Sequence, residues 1–183
     1  MLAGFLKRLR GTGVSPPRRP LIDILWSTIA SFLGISALMI MSRPLQLTET
    51  DALVVASSLG SSAALIYGVP RAEFSQPRNF VGGHVVSAFV GITIYSLLPN
   101  ELVLASALAV AMAITAMHLT RTLHPPGAAT SMTAVVGSDR IHELGYWFIL
   151  SPCLSGAIVM LVIALVVNNL SPNPNRHYPS YWW

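Results

Sequence analysis

Charged side chains are scarce in this sequence. Only 10% of its 183 residues are Asp, Glu, Lys or Arg, whereas 53% are hydrophobic. Soluble domains carry roughly 25% charged residues, so a chain with less than half of that fraction is expected to be surrounded by lipid. The composition therefore excludes an ordinary water-soluble domain and makes the lipid bilayer the first predicted partner.

Cysteine and metal-binding motifs are also scarce. Cys153 is the single cysteine, which excludes an internal disulfide. The sequence has no HExxH motif and no cysteine-rich set that would hold zinc. His118 and His124 lie six positions apart, with a proline after the second, and this spacing does not match a helical metal pair. We therefore expect no enzyme activity, no metal and no cofactor.

The net charge of +4 does not indicate binding to nucleic acid. Five of the eleven basic residues precede the first hydrophobic segment: Lys7, Arg8, Arg10, Arg18 and Arg19. Positive residues are enriched on the cytoplasmic side of membrane proteins. We predict a basic cytoplasmic tail over residues 1–20, a transmembrane domain over 21–170 and a juxtamembrane tail over 171–183.

Six apolar segments follow, separated by polar or proline-containing connections. Their ranges are 21–41, 52–68, 80–98, 101–119, 124–137 and 146–167. A helix needs about 20 residues to cross a bilayer core, so the second and fifth segments are short. The order is long, short, long, and then the same again.

The two short segments share a cluster of small residues, GSSA at 60–63 and GAAT at 127–130. Three elements per repeat is an odd number, so two crossing repeats have opposite orientations, a common transporter arrangement. The prediction is an all-α membrane protein of two inverted three-helix repeats, each with one short, interrupted segment. Both termini and Arg71, Arg78 and Arg121 are then cytoplasmic. Four full spans with two re-entrant segments are the alternative, which places those arginines outside.

The stretch HPPGAAT at 124–130 interrupts the hydrophobic sequence at membrane depth. Irregular backbone is tolerated there only inside protein or along a polar cavity. Pro126 suits the first turn of a helix, and the small residues after it leave backbone N–H groups accessible to an anion. The alternative is a helix break that lets two helices pack closely.

Polar residues near the third segment extend this pattern. Arg78 attracts an anion to the mouth of a path, or else anchors the helix on lipid phosphate. A histidine inside a membrane suggests a polar cavity or a proton relay, whereas Gly83, Ser87 and Gly91 form a small-residue stripe typical of helix packing. The predicted substrate-binding residues are Gly127, Ala128, Ala129, Thr130, Gly60, Ser61, Ser62, Arg78, His84 and His124.

Three motifs resemble the HPP family of integral membrane proteins. They are GSSAALIYG at 60–68, QPRNFVGGH at 76–84 and HPPGAAT at 124–130, and the ending RHYPSYW at 176–182 is similar too. The resemblance implies a small multispan protein of bacteria, cyanobacteria or plastids. Some family members are linked to nitrite transport across the bacterial plasma membrane or the chloroplast envelope.

Together these patterns favour transport of a small monovalent anion, with nitrite as the leading candidate. A membrane binding or assembly protein without transport activity is the alternative function. The expected location is a bacterial or cyanobacterial plasma membrane, with the plastid envelope as the alternative. A chain this small is expected to work as a homo-oligomer, and the sequence leaves channel and carrier mechanisms open.

Overall fold

The computed structural model describes residues 5, 8, 9, 13–45 and 47–183, so that Lys7 and Arg10 of the predicted basic tail lie outside the described residues. Throughout the described residues the regular structure is helical, which confirms the predicted all-α fold. The α-helices are α1 Leu21–Ser42, α2 Glu49–Ile66, α3 Pro77–Leu97, α4 Leu102–Leu119, α5 Pro125–Val136, α6 Asp139–Leu144 and α7 Ser155–Leu170.

Among the residues that the structure describes, four helical stretches are long and apolar enough to cross a membrane. They are Leu21–Leu45, Pro77–Leu97, Leu102–Leu119 and Ile149–Leu170. The helices α2 and α5 pack among them, and α5 is the shortest of these six elements at 12 residues. The chain is therefore a multi-pass membrane protein. Of the two segments predicted to be short, α5 is short, whereas α2 has 18 residues, as many as α4.

The start of α1, the end of α2 and the end of α7 meet at one end of the bundle. Ser27 in α1 donates a hydrogen bond to the Tyr67 carbonyl just after α2, at 2.8 Å. Asn173, just after α7, donates to the carboxylate of Asp23, at 2.9 Å to each oxygen. We call this end the terminal face.

The other end, which we call the opposite face, carries the start of α2 and the end of α5. Asp51 accepts hydrogen bonds there from the Ser138 backbone N–H at 3.0 Å and from its hydroxyl. The side chain of Ser138 also caps α6, a short helix where the sequence analysis expected only a polar loop. Since α2 begins at the opposite face and ends at the terminal face, it traverses the full depth of the bundle.

The helix α2 runs without interruption through Gly60–Ser62, where the sequence predicted a break. The hydroxyl groups of this stretch do not require the helix to open. The hydroxyls of Ser58 and Ser61 donate to the carbonyls of Val55 and Ser58, each three positions earlier in the same helix. Small polar residues therefore remain helical here, and the prediction of an interrupted second segment was wrong.

An interruption does occur in the last span, at Pro152. The backbone of Ser151 is extended, with φ −145° and ψ 122°, inside the π-helical turn Ile149–Leu154. A proline has no N–H to donate and clashes with the preceding turn of a helix, which accounts for the kink. From the sequence, residues 146–167 were predicted to form one regular span.

Candidate functional site

A chain of buried hydrogen bonds connects α2, α3 and the start of α5. The Ser62 hydroxyl lies 2.8 Å from Nε2 of His84 and 2.8 Å from Nε2 of His124. On the far side of each ring, His84 Nδ1 lies 2.6 Å from the Thr130 hydroxyl, and His124 Nδ1 lies 2.6 Å from the carbonyl oxygen of Phe74. We call Thr130, His84, Ser62 and His124 the histidine network.

The hydrogen positions in this network follow from its one fixed acceptor. A carbonyl oxygen only accepts, so His124 Nδ1 carries a proton and donates to Phe74. With both rings neutral, His124 Nε2 is then an acceptor and takes the Ser62 proton. The serine has no second proton, so His84 Nε2 donates to it. Thr130 then donates its single proton to His84 Nδ1 at 2.6 Å rather than to the Ser58 hydroxyl, which lies at 3.4 Å. Every ring nitrogen is thereby satisfied.

The network is sealed from solvent. Ser62, His84 and His124 are 0% exposed, and Thr130 is 2% exposed. Leaving one of these groups without a partner costs about 1–3 kcal/mol, so the four side chains constrain each other's orientation. Phe80 packs edge-on against both imidazole rings, with centroid distances of 5.4 and 5.3 Å.

Two glycines allow α3 and α5 to approach closely enough for this network. A Cβ atom on Gly83 would lie 2.6 Å from the Cβ of His124, and one on Gly127 would lie 2.9 Å from the Gly83 carbonyl oxygen. Gly91, about two helical turns further along, faces the backbone of Ser131 in the same way. The packing role predicted for the small-residue stripe on α3 is confirmed.

A cavity of about 350 Å³ opens beside the network at the terminal face. We call it the vestibule, and its lining includes Glu73, Phe74, Arg78, Asn79, His118 and Arg121. Arg78 Nε and Asn79 Oδ1 are buried and have no hydrogen-bond partner among the described residues. Phe74 connects vestibule and network, because it lines the first and its carbonyl oxygen accepts from His124 in the second.

Arg121 has an unusual backbone conformation for its position at the vestibule. Its φ is 58°, in the left-handed region that favours glycine. The N–H of Arg121 donates to the His118 carbonyl and that of Thr122 to the Met117 carbonyl, which is the Schellman ending of a helix. Glycine is the usual residue there, so a guanidinium is held at the vestibule at some cost in backbone strain.

The loop that carries Phe74 is fixed by the C-terminal tail. The Tyr178 hydroxyl donates to the Ser75 carbonyl at 2.7 Å, and Gln76 Oε1 accepts from the Ser180 N–H at 2.8 Å. The amide of Gln76 also donates to the carbonyls of Pro70 and Ala72, each at 2.9 Å. The tail therefore orders the segment that orients His124, a role that no sequence pattern indicated.

The predicted site residues divide into two groups. Ser62, His84, His124 and Thr130 come together in the network, and Gly127 lies against α3 beside them. The others do not. Arg78 lines the vestibule, Gly60 faces Ile35 of α1, Ser61 is exposed, Ala128 is half-buried and Ala129 is exposed.

The start of α5 differs from the expected anion cradle of free backbone N–H groups. Pro125 and Pro126 occupy the first two helical positions and have no N–H. The N–H of Gly127 donates to the His124 carbonyl at 2.8 Å. The hydrogen-bonding groups at this point of the bundle are therefore the side chains of the network, which sequence spacing alone did not connect.

The fold and the buried network define a helical, multi-pass membrane protein. The chain belongs to the HPP family, because the model of its transmembrane region matches residues 16–179. Two transmembrane proteins of Dictyostelium discoideum are similar: one is 39% identical over 184 residues, covering 98% of this chain and 57% of its own length. The other is 41% identical, covering 98% and 63%.

The chain thus spans less than two thirds of the length of these curated relatives. No solved structure matches it.

Proposed function

We propose that the protein transports a small monovalent anion, with the vestibule as its entrance and the histidine network as its internal site. Nitrite is the leading candidate, because some members of the HPP family are linked to nitrite transport. The observation that supports this proposal is the connection through Phe74 between a basic cavity and a buried polar network. A buried network is costly unless satisfied, and polar groups at membrane depth commonly mark substrate paths.

The vestibule has the charge that an anion entrance requires. Arg78 and Arg121 line it against the single carboxylate of Glu73, and His118 adds a titratable group. In the part of the chain that the structure describes, the one ion pair within 4 Å is Arg140–Glu143, far along the sequence from these residues. The two guanidinium groups therefore keep their attraction for a mobile anion.

The network also offers a simple way to couple a proton to the anion. If His124 Nε2 gains a proton, it becomes a donor and can no longer accept from Ser62. The Ser62 oxygen then accepts from both rings, and its own proton is released to donate elsewhere. One added proton thus creates a positive charge and a free hydroxyl donor at the same point. A small anion binds to both of these groups.

The ionisable and polar groups around this switch are few. Phe80 packs on both rings, and the Cys153 thiol lies 3.5 Å from the His84 carbonyl oxygen. On the vestibule side the ionisable groups are Glu73, Arg78, His118 and Arg121. Because no carboxylate among the described residues is hydrogen-bonded to either ring, an anion is the natural counter-ion of a protonated network.

The charges at the two faces suggest an orientation. Arg43 and Arg140 lie toward the opposite face, together with Glu49, Asp51, Glu101, Asp139 and Glu143. The described arginines near the terminal face are Arg18, Arg19, Arg71, Arg78, Arg121 and Arg176. By the positive-inside tendency we propose that the terminal face is cytoplasmic. On the family resemblance, the proposed location is a bacterial or cyanobacterial plasma membrane, or a plastid envelope.

Flux of nitrite into proteoliposomes tests the proposal. Ser62→Ala removes the hydroxyl between the two rings, and we expect uptake to fall at least tenfold. Ser57→Ala is the matched control, because Ser57 lies on the same helix, is exposed and bonds only to the Leu53 carbonyl. Unfolding temperatures of both variants show whether they are folded.

Wild-type flux no greater than that of protein-free liposomes would contradict transport and favour the alternative, a membrane binding or assembly protein. Unchanged flux in Ser62→Ala would instead be consistent with transport but would exclude the histidine network as the substrate site.

A further inference from the structure

A second cavity, of about 450 Å³, lies at the terminal face on the other side of the loop that follows α2. Three arginines from distant parts of the sequence line it: Arg19 before α1, Arg71 after α2 and Arg176 in the tail. Asp23 is the one acidic residue in the lining. We call this the arginine cavity; it shares no lining residue with the vestibule.

The positive charge of this cavity is not neutralised within the protein. Both oxygens of the Asp23 carboxylate accept from the neutral amide of Asn173. Arg19 and Arg71 form no ion pair with any residue that the structure describes. One carboxylate against three guanidinium groups leaves an excess of positive charge, which attracts an anion.

Arg176 adds a third guanidinium group to the wall of the cavity. The residue is 3% exposed, and its two terminal nitrogens are used by Asp23, Ser27, Tyr67 and Asn168. Its Nε, in contrast, is buried with no partner among the described residues. Burial lowers the pKa of this guanidinium; Asp23 acts against the shift, and Arg19 adds to it.

An apolar groove continues from the arginine cavity between α1 and α2. Its volume is about 570 Å³, and it shares Arg19, Asp23 and Gly68 with the cavity. Ile24, Thr28, Ala63 and Ala64 line its further course. A basic cavity at the end of a bundle, continuous with an apolar groove along two helices, matches the shape of a phospholipid.

We propose that the arginine cavity binds the phosphate of an anionic phospholipid, with an acyl chain lying in the groove between α1 and α2. A free oxyanion such as phosphate could bind the same guanidinium groups, but it has no acyl chain to occupy the groove. A neutral lipid fills the groove but leaves the guanidinium groups unpaired. The site is independent of the transported substrate, because it shares no residue with the histidine network.

Four ligands distinguish these sources when the unfolding temperature of the detergent-solubilised protein is measured. A ligand that binds only the folded protein raises this temperature in proportion to its affinity. We expect dioleoylphosphatidylglycerol to raise it, dioleoylphosphatidylcholine to raise it less, and dioleoylglycerol and inorganic phosphate to leave it unchanged. A response to inorganic phosphate or to dioleoylglycerol equal to that of phosphatidylglycerol would overturn the proposal.

Three exposed residues allow the site to be altered with little risk to folding. Arg19→Gln and Arg71→Gln are each expected to weaken phosphatidylglycerol binding about fivefold, the effect of one basic residue at an anionic lipid. Ala64→Trp fills the groove and should weaken phosphatidylglycerol binding as well. Arg140→Gln, at the opposite face, is the control and should bind as the wild type does. Wild-type affinity in Ala64→Trp, or in a variant that carries both Arg19→Gln and Arg71→Gln, would overturn the proposal.

Discussion

His124 Nδ1 and the carbonyl oxygen of Phe74 lie 2.6 Å apart, and this contact determines the hydrogen-bond directions of the whole histidine network. Because a carbonyl only accepts, the proton on Nδ1 leaves Nε2 free to accept from Ser62. Phe74 belongs to the loop that the C-terminal tail fixes, so the protonation pattern inside the bundle depends on a segment at its surface.

The pH dependence of uptake tests the role of His124. If this ring couples a proton to the anion, uptake should rise as the external pH falls, and His124→Gln should flatten the rise because glutamine carries no charge. Nitrous acid crosses membranes unaided and also increases at low pH, so flux through protein-free liposomes is subtracted. A pH profile that His124→Gln leaves unchanged would make His124 a structural residue.

Substitution of Arg121 is expected to change the stability of the protein and its nitrite uptake in opposite directions. Arg121→Gly relieves the left-handed backbone conformation and should stabilise the protein by about 1 kcal/mol, measured by unfolding in detergent. The same change removes a charge from the vestibule and should lower nitrite uptake, most strongly at low ionic strength, where screening is weakest. Arg121→Lys is the control, since it keeps both the charge and the strain. Wild-type uptake in Arg121→Gly at low salt would exclude electrostatic attraction by this residue.

Gly60 and Gly83 should respond in opposite ways to alanine. A Cβ on Gly60 meets only Ile35, at 3.4 Å, so Gly60→Ala should stabilise α2 by up to about 1 kcal/mol and leave uptake intact. Gly83→Ala should destabilise the protein, because the methyl group enters the space of His124. A loss of uptake in a stable Gly60→Ala variant would instead restore Gly60 to the substrate site that the sequence predicted.

Membrane topology is testable with single cysteines in a Cys153→Ala background. Glu73→Cys should be protected from a membrane-impermeant thiol reagent added outside, whereas Glu101→Cys should be labelled. Both residues are exposed, Glu73 near the terminal face and Glu101 between α3 and α4. External labelling of Glu73→Cys would contradict the proposed cytoplasmic terminal face. Labelling of Glu73→Cys together with protection of Glu101→Cys would favour the opposite orientation or the re-entrant arrangement of α2, because α3 separates the two positions in either case.

The sequence by itself determined the class of protein and the course of most helices. Low charge and long apolar runs leave few options other than helices in a bilayer, because backbone polar groups there must be satisfied within each segment. The predicted helix starts were close to the observed ones: α3 was predicted from residue 80 and begins at Pro77, and α5 was predicted from residue 124 and begins at Pro125. These are local effects, which depend on neighbouring residues alone.

Only the tertiary structure decided which polar residues meet. Ser62 pairs with histidines 22 and 62 positions away, while its neighbour Ser61 bonds to its own helix. A serine satisfies its hydroxyl equally well in either way, so the sequence cannot distinguish the two. Burial of Arg176 and Tyr178 also depends on the packing of the tail across the terminal face. Long-range pairing of this kind follows from how the helices assemble, whereas the helices themselves follow from local hydrophobicity.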